Sequence, residues 1–159
     1  VDVLLTCGGV SVGEEAHIKS AVEHLGSIKL WKIKIKPGKP FAFGYVGKTV
    51  FMGMPGNPVS AWVTFALICR PYIIKRAGGS DLSINPLYLE CNFDWNKPND
   101  RKEFLRGKIN KDGKLEIFKN QNSQILSSIC FSEGLIEIPT KTSVSKGDKL
   151  HYYPFSMIV

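Results

Sequence analysis

The chain lacks the sequence features that mark metal centres, disulfide frameworks and membrane spans. Its four cysteines include no pair with the close C-x-x-C spacing of zinc or redox sites, and its three histidines form no ligand cluster. No apolar run approaches the roughly 20 residues that cross a bilayer, and no charged segment followed by an apolar core marks a secretory leader. We therefore expect a cytoplasmic protein with no structural metal, no disulfide and no membrane partner.

The composition is that of a globular protein. Of the 159 residues, 43% are hydrophobic and 22% are charged, which excludes a largely disordered, collagenous or coiled-coil chain. The sequence does not begin with methionine, and its first five residues have the pattern of an inner strand. We therefore expect it to be a piece of a longer protein.

The first half has the pattern of an α/β unit followed by a hairpin and a buried helix. Asn57 and Pro58 suit the N-cap and the first position of that helix, and Pro71 should kink it. In the predicted strand over 28–36, Lys32 and Lys36 should share one face. The predicted elements are strand 1–7, glycine-rich loop 8–13, helix 14–25, strand 28–36, strands 41–46 and 49–54, and helix 58–77.

The second half has β character. Turn-forming residues over 80–86 predict a linker between an α/β domain, 1–79, and a β domain, 87–159. Short strands separated by regular turns predict a small barrel or sandwich in the second domain. The predicted elements are strand 87–95, a hairpin over 104–110 and 114–119, a helical turn within 124–130, and strands 135–138 and 149–153.

Positive charge is concentrated in the first half. Residues 1–79 hold 10 basic and 4 acidic residues, and the stretch 28–48 holds six lysines and no acid. Such a field can gather an anionic ligand, although lysines on a strand edge can also serve solubility alone. The aromatic residues of this stretch look like core or strand partners rather than a stacking platform, so we do not expect nucleic acid as a partner.

Three features of the first half suit an anion. The loop 8–13 can expose backbone N–H groups between a strand and a helix, and the turn 55–60 begins a long helix. Lys32, Lys36 and Lys39 surround a Pro-Gly turn and can donate to phosphate or another oxyanion. Each feature alone has an ordinary structural explanation, but together they favour one shared site.

The loop also matches the G-x-S-x-G pattern of serine hydrolases, with Ser11 as nucleophile. Asp148 and His151 would have to complete the triad. They lie three residues apart in a short β segment, so both could hardly reach Ser11. The pattern therefore favours a backbone loop over a nucleophile.

Several motifs together resemble the molybdopterin molybdenumtransferases, the family of bacterial MoeA and the gephyrin E domain. The resemblance covers the whole chain but only the C-terminal part of the family's length. It is weaker over Phe104–Gly107 and Asn120–Ser123. The strongest motifs are DVLLTCGGVSVGE at 2–14, WK at 31–32, KPGKPFAFG at 36–44 and PGNPVSA at 55–61.

The resemblance implies a fold and an activity. The fold would be the C-terminal half of a three-layer α/β domain like that of molybdopterin adenylyltransferase, followed by a small all-β barrel. The family inserts molybdate into adenylylated molybdopterin and releases AMP, in a step that depends on Mg²⁺. It acts as a homodimer, and the molybdopterin adenylyltransferase is a candidate partner.

The resemblance also implies site residues. Lys32 and Lys36 would be catalytic, and Arg106 and Ser123 would bind molybdate. Ala16 stands where the family usually has an aspartate, which leaves a non-catalytic molybdopterin-binding or scaffold homologue as the alternative. We expect residues 1–159 alone to be inactive. The further ligand-binding residues would be Gly8, Gly9, Ser11, Gly13, Lys39, Pro55, Gly56, Asn57 and Ser60.

Overall fold

The computed structural model describes residues 1–10, 17–80, 82 and 84–159. The helices are α1 (His17–Leu25), α2 (Pro58–Thr64), a π-helical segment (Phe65–Cys69), α3 (Arg70–Arg76), α4 (Ser127–Cys130) and α5 (Phe155–Ile158). The strands are β1 (Val3–Cys7), β2 (Ser27–Trp31), β3 (Ile35–Lys36), β4 (Ala42–Val46), β5 (Thr49–Met54), β6 (Leu87–Glu90), β7 (Lys102–Ile109), β8 (Leu115–Ile117), β9 (Gly134–Ile138) and β10 (Lys149–Pro154). No helix in the described part of the chain is long and apolar enough to span a bilayer.

The first sheet has the strand order β1-β5-β4-β2. β1 runs parallel to β5, and the predicted hairpin of β4 and β5 is confirmed with Val46 paired to Thr49. Helix α1 covers one face through Val22, which packs in a buried cluster with Ala42 and Phe51. The predicted strand and helix at the start are thus confirmed where the structure describes them; positions 14–16 of the predicted helix lie outside the described residues.

The strand predicted over 28–36 is wrong as a single element. β2 ends at Trp31, and Lys32 has a positive φ of 71°, which turns the chain out of the extended conformation. The Lys32 N–H then donates to the carbonyl of Phe41 at 2.8 Å. β3 joins the second sheet instead, so Lys32 and Lys36 do not share a face as predicted.

The long helix predicted from Pro58 is present as three consecutive segments, α2, the π-helical segment and α3. Asn57 occupies the N-cap position and Pro58 is the first residue, as predicted, but the Asn57 side chain makes no capping hydrogen bond. The π-helical segment lies just before Pro71. Because proline has no N–H for the carbonyl four residues earlier, the regular hydrogen-bond ladder cannot pass through this position.

The second sheet has six strands in the order β3-β7-β9-β10-β6, with β8 paired to β7. The predicted hairpin of β7 and β8 is confirmed, whereas the predicted strand 87–95 is paired as a continuous ladder only as far as Glu90. Cys91, just after β6, and Leu115 of β8 form one isolated bridge, which is not a continuous ladder. Among the described residues these strands form no closed barrel, so the predicted barrel is not confirmed.

The helix that starts at Pro58 lies between the two sheets. Val59 and Val63 pack in a buried cluster with Phe104 and Leu135 of the second sheet. Farther along, Cys69 packs in a cluster with the first sheet. Because both sheets bury apolar side chains against one helix, the start of that helix is held next to residues from both halves of the chain.

Candidate functional site

A cavity of about 380 Å³ opens at the start of α2. Four of the side chains that line it are cationic and one is a carboxylate. These charged side chains come from strand β3 and the turn after it, from the residue before β7 and from β7 itself. The start of α2 and the chain after β8 contribute uncharged lining residues. The lining residues are 36–40, Asn57, Ser60, Arg101, Glu103, Arg106 and 121–123.

Six of the site residues predicted from the sequence line this cavity together. They come from segments up to 87 positions apart in the chain, so no local pattern could have shown that they converge. They are Lys36, Lys39, Asn57, Ser60, Arg106 and Ser123.

The remaining predicted residues do not line the cavity. Lys32 is exposed beyond the end of β2. Ser11, Gly13 and Ala16 lie outside the described residues. The other four are Gly8, Gly9, Pro55 and Gly56, which lie at the ends of β1 and β5.

The two glycine-rich turns lie side by side. Strands β1 and β5 are parallel, so their carboxyl ends meet at the same edge of the sheet. The Gly8 N–H donates to the carbonyl of Met54 at 3.0 Å, and a Cβ atom at Gly56 would lie 3.6 Å from the Gly8 Cα. Gly8 has a φ of 89°, a conformation that favours glycine. In α/β proteins ligands commonly bind at this end of parallel strands.

Arg106 is almost completely buried. Its Nε donates to Ser128 Oγ at 3.2 Å and one terminal nitrogen donates to the carbonyl of Asn122 at 3.4 Å. Burial lowers the pKa of Arg106 to about 10, while the nearby Glu103 carboxylate acts in the opposite direction. The guanidinium is therefore a fixed, poorly hydrated cation in the cavity wall.

Gln121 fixes the backbone of Arg106. Its Oε1 accepts from the Arg106 N–H at 2.9 Å, and its Nε2 donates to the carbonyls of Arg106 and Phe118 at 2.8 and 2.7 Å. The side chain thus takes the place of a neighbouring strand at a point that β8 does not reach. Sequence reasoning assigned no role to Gln121, and its only signal was its place within the weakly matching Asn120–Ser123.

Asn57 and Ser123 join the start of α2 to the second half of the chain. The Asn57 side chain does not cap the helix; its Nδ2 donates to Ser123 Oγ at 3.1 Å. The Val59 N–H donates to the Ser123 carbonyl at 3.1 Å. These contacts hold the hydroxyls of Ser123 and Ser60 at the same cavity.

Sequence reasoning also missed Glu103. Its carboxylate is buried and lies 2.8 Å from Lys36 Nζ, and the two residues are register partners in the β3–β7 ladder. The signal was a carboxylate in a strand whose other charged residues are all basic.

The cavity residues do not fit Mg²⁺. Their single carboxylate is already paired with Lys36, and the other charged side chains are cations that would repel a metal ion. Within the described ranges no three His, Cys, Asp or Glu residues come together as a metal site. The cavity therefore does not support the Mg²⁺ dependence that the resemblance implies, and that dependence stays a prediction.

Fold and cavity define a class: a mixed α/β protein with two sheets and a cation-lined cavity between its halves. Comparison with known proteins identifies the family. Residues 1–75 match a family described as a probable molybdopterin binding domain, and residues 88–155 match the MoeA C-terminal region, domain IV. The chain belongs to the molybdopterin molybdenumtransferase family of MoeA and gephyrin.

Individual relatives agree with this assignment. A molybdopterin molybdenumtransferase of Haemophilus influenzae is 37% identical over 99% of this chain and 41% of its own length. The molybdenum cofactor synthesis protein cinnamon of Drosophila melanogaster is 39% identical over 90% of the chain and 25% of its own length. The chain thus spans less than half of these relatives.

Solved structures show the same fold. A molybdopterin biosynthesis MoeA protein from Pyrococcus horikoshii superimposes with a TM-score of 0.78 and 26% identity, over 97% of this chain and 37% of that one. A molybdenum cofactor biosynthesis protein from Pyrococcus furiosus gives 0.71 at 19% identity, over 96% of this chain and 67% of that one.

Proposed function

We propose that the chain is part of an enzyme that inserts molybdenum into molybdopterin, and that its cation-lined cavity binds molybdate. The observation that carries this proposal is the convergence of Lys36, Lys39 and Arg106 with the hydroxyl groups of Ser60 and Ser123. Molybdate is a tetrahedral dianion, and ionised donors give the strongest hydrogen bonds to oxyanions. Because Arg106 is buried, its charge is also screened less by salt than a surface charge.

Adenylylated molybdopterin would bind beside the cavity, at the paired glycine turns. Gly8 and Gly56 bring backbone close together at the carboxyl ends of β1 and β5, where a bulky ligand can approach the main chain. Pro55 and Gly9 belong to the same two turns. Molybdate in the cavity would then lie between Arg106 and the start of α2, ready to be transferred with release of AMP.

The proposed domain organisation and partners are based on the family. We propose that residues 1–79 complete a three-layer α/β domain, that 87–159 form its small barrel domain, and that 80–86 link them. A homodimer, contact with the molybdopterin adenylyltransferase and a cytoplasmic location stay predictions, as do the catalytic roles of Lys32 and Lys36.

The second candidate is a non-catalytic homologue that binds molybdopterin or serves as a scaffold. Ala16 favours it, because alanine can neither bind a metal ion nor activate water, as the usual aspartate could. Binding of adenylylated molybdopterin without AMP release by the full-length protein would support this candidate. Release of AMP that depends on added molybdate would support the enzyme.

Lys39→Met tests the cavity directly. Lys39 is exposed, so the protein should fold, while loss of one cation should weaken molybdate binding about tenfold. Lys48→Met is the matched control, since Lys48 is also exposed but does not line the cavity. Calorimetric titration of the full-length protein with molybdate measures both. Equal affinity in the two variants would refute the proposed site.

A further inference from the structure

Glu103 is an unexpected residue in an anion site. It is 3% exposed and is the one carboxylate among the described residues that line the cavity. Its Oε1 lies 2.8 Å from Lys36 Nζ, and its Oε2 has no hydrogen-bond partner among the described residues. A negative charge at this place repels any bound oxyanion.

Stability does not explain the carboxylate. Burying a charge costs desolvation energy, and leaving one oxygen without a donor adds to that cost. An apolar side chain at position 103 would avoid both costs within this largely buried strand. What the carboxylate does provide is a partner for Lys36 and a counter-charge for Arg106, whose cationic form it favours.

Lys36 therefore has two competing anions. Its ammonium group pairs with Glu103, and the β3–β7 ladder holds the two residues opposite each other. An oxyanion that binds between Lys36, Lys39 and Arg106 must share Lys36 with that carboxylate. Its affinity is then lower than the cations alone would give.

We propose that Glu103 is a specificity-determining residue, an internal counter-charge that limits the affinity of the cavity for dianions and so allows the bound oxyanion to leave for transfer. This inference rests on the proposed function, because it takes the cavity to be the oxyanion site. Coulomb repulsion scales with the charge of the ligand, so Glu103 opposes a dianion twice as strongly as a monoanion of the same shape.

Glu103→Gln separates charge from positioning. Glutamine has the same length and keeps an oxygen that can accept from Lys36 Nζ, but it removes the negative charge. Molybdate and perrhenate serve as probes, since both are tetrahedral and carry two charges and one charge respectively. We expect the Kd of molybdate to fall about tenfold and that of perrhenate about threefold, measured on the full-length protein at constant ionic strength.

Two variants control for other effects. Glu103→Asp keeps the charge, so it should not tighten binding of either anion. Glu137→Gln removes a matched carboxylate, which is also buried and lies 2.9 Å from Lys102 Nζ but does not line the cavity. It should leave both affinities unchanged.

The results distinguish three cases. A larger gain for molybdate than for perrhenate in Glu103→Gln supports the counter-charge. Weaker binding, or an equal change for both anions, overturns it and reduces Glu103 to a support for Lys36. If the cavity is not the oxyanion site at all, molybdate binding will be unchanged in Lys39→Met, which is a separate result.

A second measurement covers the case in which Glu103→Gln does not fold. Lys36→Met should weaken molybdate binding more than Lys39→Met does, because it also leaves the Glu103 charge unpaired beside the anion. Equal losses in the two lysine variants would overturn the counter-charge.

Discussion

Replacement of Gln121 by leucine tests how the cavity wall is built. Leucine has nearly the same volume but cannot make the three hydrogen bonds to the backbone of Arg106 and Phe118. The Arg106 carbonyl keeps a second donor, the Phe118 N–H at 2.9 Å. The Arg106 N–H and the Phe118 carbonyl would lose the partner that Gln121 provides.

The expected loss of stability comes from the Arg106 N–H and the Phe118 carbonyl. A buried polar group left without a partner costs about 1–3 kcal/mol, so the unfolding free energy should fall by about 3 kcal/mol. For a protein of this size that lowers the Tm by about 6–12 °C. Because Gln121 also fixes Arg106 at the cavity, we expect the Kd of molybdate to rise several-fold in the folded variant.

Scanning calorimetry measures the first effect, and molybdate titration below the Tm measures the second. Gln124→Leu is the matched control, since Gln124 is exposed three positions away and its loss should change stability by less than about 0.5 kcal/mol. Equal Tm values for the two variants would show that the side-chain contacts of Gln121 do not support β7, and the reasoning would fail.

Two further predictions concern thiols and pH. Under native conditions at pH 8, iodoacetamide should modify the exposed Cys7 and Cys130 but not Cys69. Burial, with a smaller effect of Cys7, raises the pKa of Cys69 to about 12, so little of the reactive thiolate is present. Mass spectrometry of peptides measures the modification, and rapid modification of Cys69 would contradict the prediction. Burial and the hydrogen bond to Glu137 raise the pKa of Tyr153 above its usual value of about 10. The folded protein then keeps a proton that the unfolded chain releases, so this contribution to stability is present below about pH 10 and is lost as the pH rises toward the folded pKa. Tyr153→Phe should therefore lose less stability than the wild type between pH 9 and 11 in urea titrations, and parallel losses would refute this assignment.

Local signals predicted much of the first half. Apolar periodicity indicated β1 and α1, and Gly47 marked the hairpin of β4 and β5. Asn57 and Pro58 marked the start of the helix, because proline suits the first position, where its missing N–H has no partner to lose. These predictions succeeded because each depends on the conformational preferences of a few neighbouring residues.

Pairing between strands that are distant in the sequence limited what could be predicted. Nothing local in the stretch 28–36 shows that its end leaves one sheet for another, because the choice depends on β7, more than 60 positions away. The sequence signals at Glu103 and Gln121 were weak and did not show what these side chains contact. Their roles come from partners brought near by the fold, Lys36 for one and the backbone of Arg106 for the other.

The sequence by itself determined the family and six of the thirteen residues that line the cavity, since turn residues and charged motifs can be read in a linear string. Only the tertiary structure decided that Lys36 belongs with Arg106 while Lys32 does not. It also placed a buried carboxylate among the cations. The physical reason is that electrostatic and hydrogen-bonding partners are chosen by distance in space, and that distance is set by how two sheets pack against one helix.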